Sequence, residues 1–419
     1  MSSSEKDFYK ISRLLGLGNF QSAKIEIKKS IKKYPNTSYL NNLYGLILDN
    51  ENKFEESIAA YKKAINLDNN YFEAHYNMGN SFLKNRMPKK AVESFKNATK
   101  MNPNSIEAHI GLGNSLKYIN KIEEAVLAFK KILEINPNFA GGYILLGSCL
   151  QDNKQFEDAI PYLKKFGRAS KARVLECLYS LKKIEEYKKY LSELSKKDPT
   201  NIRAATISTF ASHQLNLKEI HPFCKKPFDF VSITNIKSIS KSLDFNNLSN
   251  EISEIEQFWE PSGFVTKKAF KTHGNIFDHK KKSITALKEI ILTQIEKYKI
   301  KHSQSKNTLI THWPTNFNLY GWHVKYKKLG HQSEHIHPDG WISGSFYIKI
   351  PKKKKNNETA IKFSLHGFDY PIFNKKIPYT EHLPNKGDLV LFPSSLFHST
   401  IPCPSNEERH MIAFDVRPS

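Results

Sequence analysis

A spacing of 34 residues organises the first half of the chain. Glycines at positions 45, 79, 113 and 147 share this spacing. Twelve residues after each glycine stands a small residue, and sixteen after it a large apolar one: Ser57, Ala91, Ala125 and Ala159, then Tyr61, Phe95, Phe129 and Leu163. Small residues let two helices approach closely, and the large residue fills the space between successive pairs. The period therefore predicts an all-α solenoid of paired helices.

Proline follows the same frame. Pro35, Pro103 and Pro137 occupy equivalent positions, where proline ends the second helix of a pair. The period and these residues resemble the tetratricopeptide repeat, and the resemblance covers residues 1–170 with about five repeats. The first copy has Ile11 in the glycine position, as terminal repeats vary. The frame slips afterwards, so residues 171–220 are predicted to form a degenerate helical repeat and a linker.

Solenoids of this kind have a concave face that binds extended peptides. Asn80 and Asn114 each follow a repeat glycine on the first helix of two successive repeats. We expect both amides to project into that groove, where they would bind the backbone of a protein or peptide partner. The alternative is an ordinary polar surface, because only two repeats carry the asparagine.

The second half, residues 221–419, follows different rules. One amphipathic helix is predicted over residues 284–298. Short apolar or alternating segments predict strands over residues 308–313, 322–326, 341–350, 360–365, 388–392 and 410–416. Six short strands with a supporting helix predict a double-stranded β-helix, or jelly roll. The whole chain is thus expected to be a multidomain α + β protein, a solenoid followed by this β domain.

Candidate metal ligands lie in an extended segment that runs into the strand predicted at residues 341–350. His335, His337 and Asp339 alternate, and side chains two residues apart on a strand point to the same side. Two histidines and one carboxylate bind non-haem Fe(II) and leave positions open on the metal. Either His337, Asp339 and His398 form the set, or His335 replaces one of them as a ligand. Arg409 opens the next strand, and a buried arginine beside a metal requires an anion.

The quoted motifs also carry a family resemblance. His335-Ile-His337-Pro-Asp-Gly-Trp-Ile-Ser-Gly, then Gly387-Asp-Leu-Val-Leu-Phe-Pro-Ser with His398 and Arg409, resembles a bacterial 2OG-Fe(II) oxygenase family that often follows tetratricopeptide repeats. The resemblance implies Fe(II), 2-oxoglutarate, O2 and a hydroxylase activity. It implies that Arg409 holds the far end of the co-substrate, and that no catalytic residue is needed beyond the metal centre. Tyr347 and Thr272 are candidates to line the co-substrate pocket, and the alternative is that their hydroxyls are ordinary hydrogen-bond partners within strands.

Two other functions are compatible with the sequence. The chain could be a tetratricopeptide scaffold whose β domain is non-catalytic, or the β domain could be a cupin-like metal site that uses no 2-oxoglutarate. The intact set of His337, Asp339, His398 and Arg409 speaks against the scaffold alternative. Arg409 separates the cupin-like alternative from the oxygenase, because a cupin does not need it.

The composition of the chain limits which classes of partner and which cellular location we expect. The net charge is +23, yet lysines are spread along the chain and arginines are few, which favours solvation over nucleic-acid binding. Lys352 to Lys355 are predicted to lie at a solvated hairpin tip. The sequence has neither the run of about 20 apolar residues of a membrane span nor a recognisable signal peptide. Four scattered cysteines suit a reducing cytoplasm, where we expect the protein to reside.

Overall fold

A computed structural model describes residues 3–239, 243–262, 265–351, 357–374 and 376–419. The predicted hairpin tip at Lys352 to Lys355 lies outside the described residues. The chain divides into two compact units, Met1–Ser170 and Lys171–Ser419. Among the described residues, none of the helices is both long and apolar enough to span a bilayer.

The first unit consists of five helix pairs. Their bounds are α1 Ser3–Gly16, α2 Phe20–Lys33, α3 Ser38–Asn50, α4 Phe54–Leu67, α5 Phe72–Lys84, α6 Pro88–Met101, α7 Ile106–Tyr118, α8 Ile122–Ile135, α9 Ala140–Asp152 and α10 Phe156–Lys165. From α3 onward, the first helix of each pair begins 34 residues after the previous one, and so does the second helix. The predicted all-α solenoid of paired helices is therefore confirmed.

From α3 onward, each helix pair packs its large residue against its glycine. A Cβ atom added to Gly113 would lie 2.4 Å from Cε1 of Phe129, and one added to Gly45 would lie 2.5 Å from Cε1 of Tyr61. Phe129 and Tyr61 are completely buried. Close packing leaves no room for a side chain on these helices, because interiors are filled to crystal-like density. The glycine and the large residue, which recur sixteen positions apart, are therefore in direct contact with each other.

Three further helices follow: α11 Arg168–Ser180, α12 Ile184–Lys197 and α13 Ile202–Gln214. From Lys171 onward they belong to the second unit. Glu176 on α11 accepts hydrogen bonds from Arg203 Nε at 2.7 Å and from Tyr370 Oη at 2.8 Å. On α13, Thr206 donates to the carbonyl of Ser395 at 2.8 Å. Buried polar contacts therefore join these helices to the β domain.

The β domain contains two antiparallel sheets. The strands are β1 Ser232–Asn235, β2 Gln257–Ser262, β3 Thr266–Thr272, β4 Phe317–Gln332, β5 Ile342–Lys349, β6 Ile361–Ser364, β7 Tyr379–His382, β8 Asp388–Pro393, β9 Phe397–Thr400 and β10 Arg409–Pro418. One sheet has the order β1-β8-β5-β10-β4-β3-β2, and the other has the order β7-β6-β9. This double-sheet arrangement, with its supporting helices, agrees with the predicted jelly roll.

The helices of this domain are α14 Ile236–Ile239, α15 Phe245–Ser253, α16 Lys282–Lys301 and α17 Thr308–Thr311. The helix predicted at residues 284–298 is confirmed as α16. The strand predicted at residues 308–313 is wrong, because its first residues form α17. The backbone N–H groups of Thr308 and Leu309 donate to the carbonyls of Pro222 and Phe223. These distant contacts override the β propensity of a Thr/Leu/Ile segment.

Candidate metal centre and anion pocket

Backbone pairing brings the first two candidate ligands to the third. His335 and His398 form an isolated β-bridge, with N–H to O distances of 3.1 and 3.0 Å. The N–H of His337 donates to the carbonyl of Ser394 at 3.1 Å. The segment between β4 and β5 therefore lies along β9 and the turn before it, and these two backbone interactions bring the three imidazoles together.

The three imidazoles converge on one point. One ring nitrogen from each of His335, His337 and His398 lies within 4.8 Å of the others. Each Nδ1 faces an acceptor: the Ser333 carbonyl at 2.8 Å, Asp415 Oδ1 at 2.6 Å and the Leu396 carbonyl at 3.3 Å, respectively. A neutral imidazole that donates from Nδ1 leaves the lone pair of Nε2 for a metal. His337 Nε2 is buried and has no hydrogen-bond partner.

Burial keeps two of these ligands neutral. It lowers the pKa of His335 to about 3, and the proximity of His337 adds to the effect. Burial likewise holds the pKa of His398 well below its usual value. A metal ligand must be the unprotonated imidazole, so both residues are ready to bind a cation at neutral pH without releasing a proton.

The candidate carboxylate, Asp339, is not part of this group. Asp339 is exposed and lines the rim of a pocket of about 260 Å³ that also contains His335 and His337. The carboxylate in contact with the histidines is instead Asp415, which is 2% exposed. Within the described part of the chain, the only group of three metal-binding side chains is His335, His337 and His398.

Arg409 lies on the inner face of the large sheet, beside the third histidine. Its Nη1 donates to the Thr359 carbonyl at 3.1 Å, and its Nη2 donates to Thr400 Oγ1 at 3.0 Å. Thr400 is two residues after His398 on β9, so both side chains point to the same side. The guanidinium is therefore held next to the histidine group by the strand that carries one of its members.

The surroundings of Arg409 fit an anion. The guanidinium lies 4.1 Å from the ring centroid of Tyr326. Arg409 Nε and Tyr347 Oη are buried and have no hydrogen-bond partner. Burial raises the pKa of Tyr326 to about 12 and that of Tyr347 further, so both hydroxyls keep their protons. A buried cation and protonated hydroxyls are the donors that a carboxylate accepts from.

Thr272 lies apart from this cluster. Its hydroxyl accepts the backbone N–H of His323 at 3.0 Å, and it lines a second pocket of about 350 Å³. This pocket shares Trp322 and Arg417 with the pocket over the histidines. The Trp322 ring is stacked on His337, with 5.7 Å between the centroids. Of the predicted co-substrate residues, the structure brings Tyr347 close to Arg409 and places Thr272 near the outer groove.

Sequence reasoning missed Asp415, Tyr326 and Thr400. Strand alternation could have found the first, because Asp415 shares a face with Arg409 on β10. Tyr326 is opposite Arg409 in the β4–β10 register, which only the strand pairing establishes. In the first unit, Asn80 is half-buried and Asn114 is exposed.

Comparison with known proteins agrees with this division. Residues 320–415 match the model of the family described as "Putative 2OG-Fe(II) oxygenase". Residues 45–85 match a TPR repeat model, and residues 72–105 and 106–139 match tetratricopeptide repeat models. The predicted fusion of tetratricopeptide repeats with a 2OG-Fe(II) oxygenase domain is therefore confirmed. The oxygenase match begins in β4 and includes the three histidines and Arg409.

Several solved structures are similar to part of this chain. A structure titled "YrrB: a TPR protein with an unusual peptide-binding site" is 19% identical, covers 42% of this chain and 95% of its own, and has a TM-score of 0.39. MamA from Desulfovibrio magneticus RS-1 is 19% identical over 39% of this chain and 93% of its own, with a TM-score of 0.37. Pseudomonas aeruginosa pilF is 16% identical over 48% and 94%, with a TM-score of 0.39. No curated protein matches the sequence.

Proposed function

We propose that the second unit is an Fe(II)- and 2-oxoglutarate-dependent oxygenase, a hydroxylase of proteins or peptides that the tetratricopeptide repeats recruit. The observation that carries the proposal is the convergence of three histidine nitrogens beside a buried arginine that has a free Nε donor. A metal site alone would explain the histidines, but it would not explain why a guanidinium is buried next to them.

Fe(II) fits the donor set. Imidazole nitrogens bind iron well, and three ligands on one side leave room for a bidentate co-substrate and for O2. In our proposal the ligands are His335, His337 and His398, because these side chains are together, whereas Asp339 is exposed outside the group. The iron, 2-oxoglutarate and O2 supply the oxidation, and the protein supplies position and shelter from water.

The anion cluster fits the far carboxylate of 2-oxoglutarate. Arg409 provides charge, and Tyr347 and Tyr326 provide hydroxyl donors in a buried environment. Such charge-assisted hydrogen bonds are roughly twice as strong as neutral ones. On the outer side, Trp322 covers one face of His337 and restricts water there. The proposed substrate lies in the groove beyond Trp322, along the pocket that Thr272 lines.

Anaerobic titration with Fe(II) and then 2-oxoglutarate tests the proposal. We expect a visible charge-transfer band that needs both components. The band should disappear in His398→Ala and in Arg409→Met. Arg168→Met is the control, because it removes an exposed arginine of α11 that lines neither the pocket over the histidines nor the pocket of Thr272. If iron binds but 2-oxoglutarate produces no band and Arg409→Met changes nothing, the cupin-like alternative replaces the oxygenase.

The ligand set is tested by metal content. His335→Ala should lose iron, and Asp339→Asn should retain it. The reverse result would establish the set with Asp339 instead.

Recruitment by the repeats is tested in cells that express the full-length chain. Proteins oxidised by the wild type should be lost from mass-spectrometric profiles with the double variant Asn80→Ala/Asn114→Ala, and retained with Asn97→Ala, an exposed asparagine on the second helix of a repeat. Equal profiles for all three would contradict recruitment through these amides and leave the oxygenase proposal intact.

A further inference from the structure

We infer that Asp415 is the positioning residue of the metal centre, holding His337 through Nδ1 and supplying the negative charge that three neutral histidines lack. This inference rests on the proposed metal site. The expected centre has two histidines and one carboxylate as ligands, whereas here the carboxylate hydrogen-bonds to one of three histidines. The charge stands behind a histidine ligand and does not touch the metal.

Asp415 is fixed from three directions. Its Oδ1 accepts hydrogen bonds from His337 Nδ1 at 2.6 Å and from Ser343 Oγ at 2.8 Å. Its Oδ2 accepts one from Arg417 Nη2 at 3.3 Å. Both carboxyl oxygens accept hydrogen bonds from these donors, which is the pattern of an ionised carboxylate. The side chain is therefore an oriented anion.

The backbone around His337 is shaped for this contact. A Cβ atom added to Gly340 would lie 2.7 Å from Ser394 Oγ and 3.2 Å from Asp415 Oδ1. Ser394 Oγ in turn lies 2.8 Å from Ser343 Oγ, and the Ser394 carbonyl accepts the N–H of His337. Glycine at this turn thus allows the loop, the two serines and the carboxylate to meet. One small network sets both the backbone and the ring of His337.

The three histidines differ in what holds them. His335 and His398 donate from Nδ1 to backbone carbonyls, which are neutral. His337 donates to a buried carboxylate, and this bond is also the shortest of the three. A carboxylate behind a ligating imidazole fixes its tautomer and raises the basicity of the other nitrogen. His337 should therefore be the strongest of the three donors, and its strength should depend on the charge of Asp415.

Metal affinity measures this dependence without any turnover. The full-length apo protein is titrated anaerobically with Co(II), followed by its visible absorption. Asp415→Asn keeps the size and one acceptor oxygen but removes the charge, and we expect the affinity to fall about 10- to 100-fold. The matched control is Asp388→Asn, because Asp388 is another buried carboxylate, 2.9 Å from Nε2 of His382 and outside the metal group. Its Co(II) affinity should stay at the wild-type value.

The wild type itself gives a second readout, should Asp415→Asn fail to fold. In the Zn(II)-loaded protein, ¹⁵N and ¹H NMR of the histidine rings should show His337 bound through Nε2, with a protonated Nδ1. That proton should be further downfield than those of His335 and His398. Metal on Nδ1 of His337, or equal Co(II) affinities of Asp415→Asn and wild type, would overturn the inference alone. A wild-type protein that binds no Co(II) would overturn the proposed function as well.

Discussion

The two units of this chain differ in how far apart along the sequence their contacting residues lie. In the first, Phe129 contacts Gly113, sixteen residues before it, and the same contact recurs in each period. In the second, His335 pairs with His398, and Ser232 pairs with Leu391. A repeat needs only its neighbours, whereas the metal centre exists only when the ends of a long segment have met. The comparison teaches that a sequence can reveal a motif without revealing how the residues of that motif are arranged in space.

The largest expected effect separates the two kinds of core. Phe129→Ala and Phe414→Ala each remove a fully buried ring and should cost about 3–5 kcal/mol of stability. All four tryptophans lie in the second unit, so fluorescence reports that unit. Far-UV circular dichroism reports mainly the first unit, because most of the helical residues lie there. Phe129→Ala should shift the helical transition and leave metal binding intact. Phe414→Ala, on β10, should shift the fluorescence transition and weaken metal binding; equal effects on both signals would contradict the division.

A similar loss tests where the first unit ends. Glu176 is 2% exposed and pairs with Arg203 at 2.7 Å. Glu176→Gln leaves the arginine charge without its partner, which costs about 3–5 kcal/mol when the pair is buried. Because the helix α11 packs in the second unit from Lys171 onward, the fluorescence transition should shift and the solenoid transition should not. A shift confined to the solenoid would place this helix with the repeats.

Acid should destabilise the second unit through its buried histidines. Burial lowers the pKa of His323 to about 3, and the nearby His410 charge adds to this. The unfolded chain takes up a proton near pH 6.5, so the free energy of unfolding falls as the pH drops from about 6.5 towards 3. One such histidine costs about 1.4 kcal/mol by pH 5.5. Denaturation followed by fluorescence at several pH values measures how the free energy of unfolding changes with pH. His323→Gln should reduce this dependence. An unchanged dependence would mean that other groups cause it.

The smallest effect belongs to a single helix cap in the repeats. The Ser105 hydroxyl accepts the N–H of Ala108 at 3.1 Å at the start of α7. Ser105→Ala should cost about 1 kcal/mol, because one backbone donor loses its partner. Ser105→Asp keeps an acceptor and should restore the stability of the solenoid, as followed by circular dichroism. An aspartate variant no more stable than the alanine variant would show that the cap contributes nothing.

How much of the fold was predictable varied with the range of the contacts. The period of 34 residues predicted the helix pairs, since each glycine and its aromatic partner lie in one repeat. The β strands around the motifs were predictable from alternation, but β9, which carries His398, is only four residues long and has no pattern of its own. The helix at Thr308 was predicted as a strand because its decisive contacts come from Pro222 and Phe223.

The sequence by itself determined the solenoid, the place of the candidate site and the types of side chain that could build it. Those properties depend on local spacing, and local spacing is written in the chain. Only the tertiary structure decided that His335 joins His337 and His398, that Asp339 is left exposed and that Asp415 stands behind His337. The physical reason is that strand pairing sets which side chains meet: β9 and β10 bring their residues to the loop after β4 from more than sixty positions away.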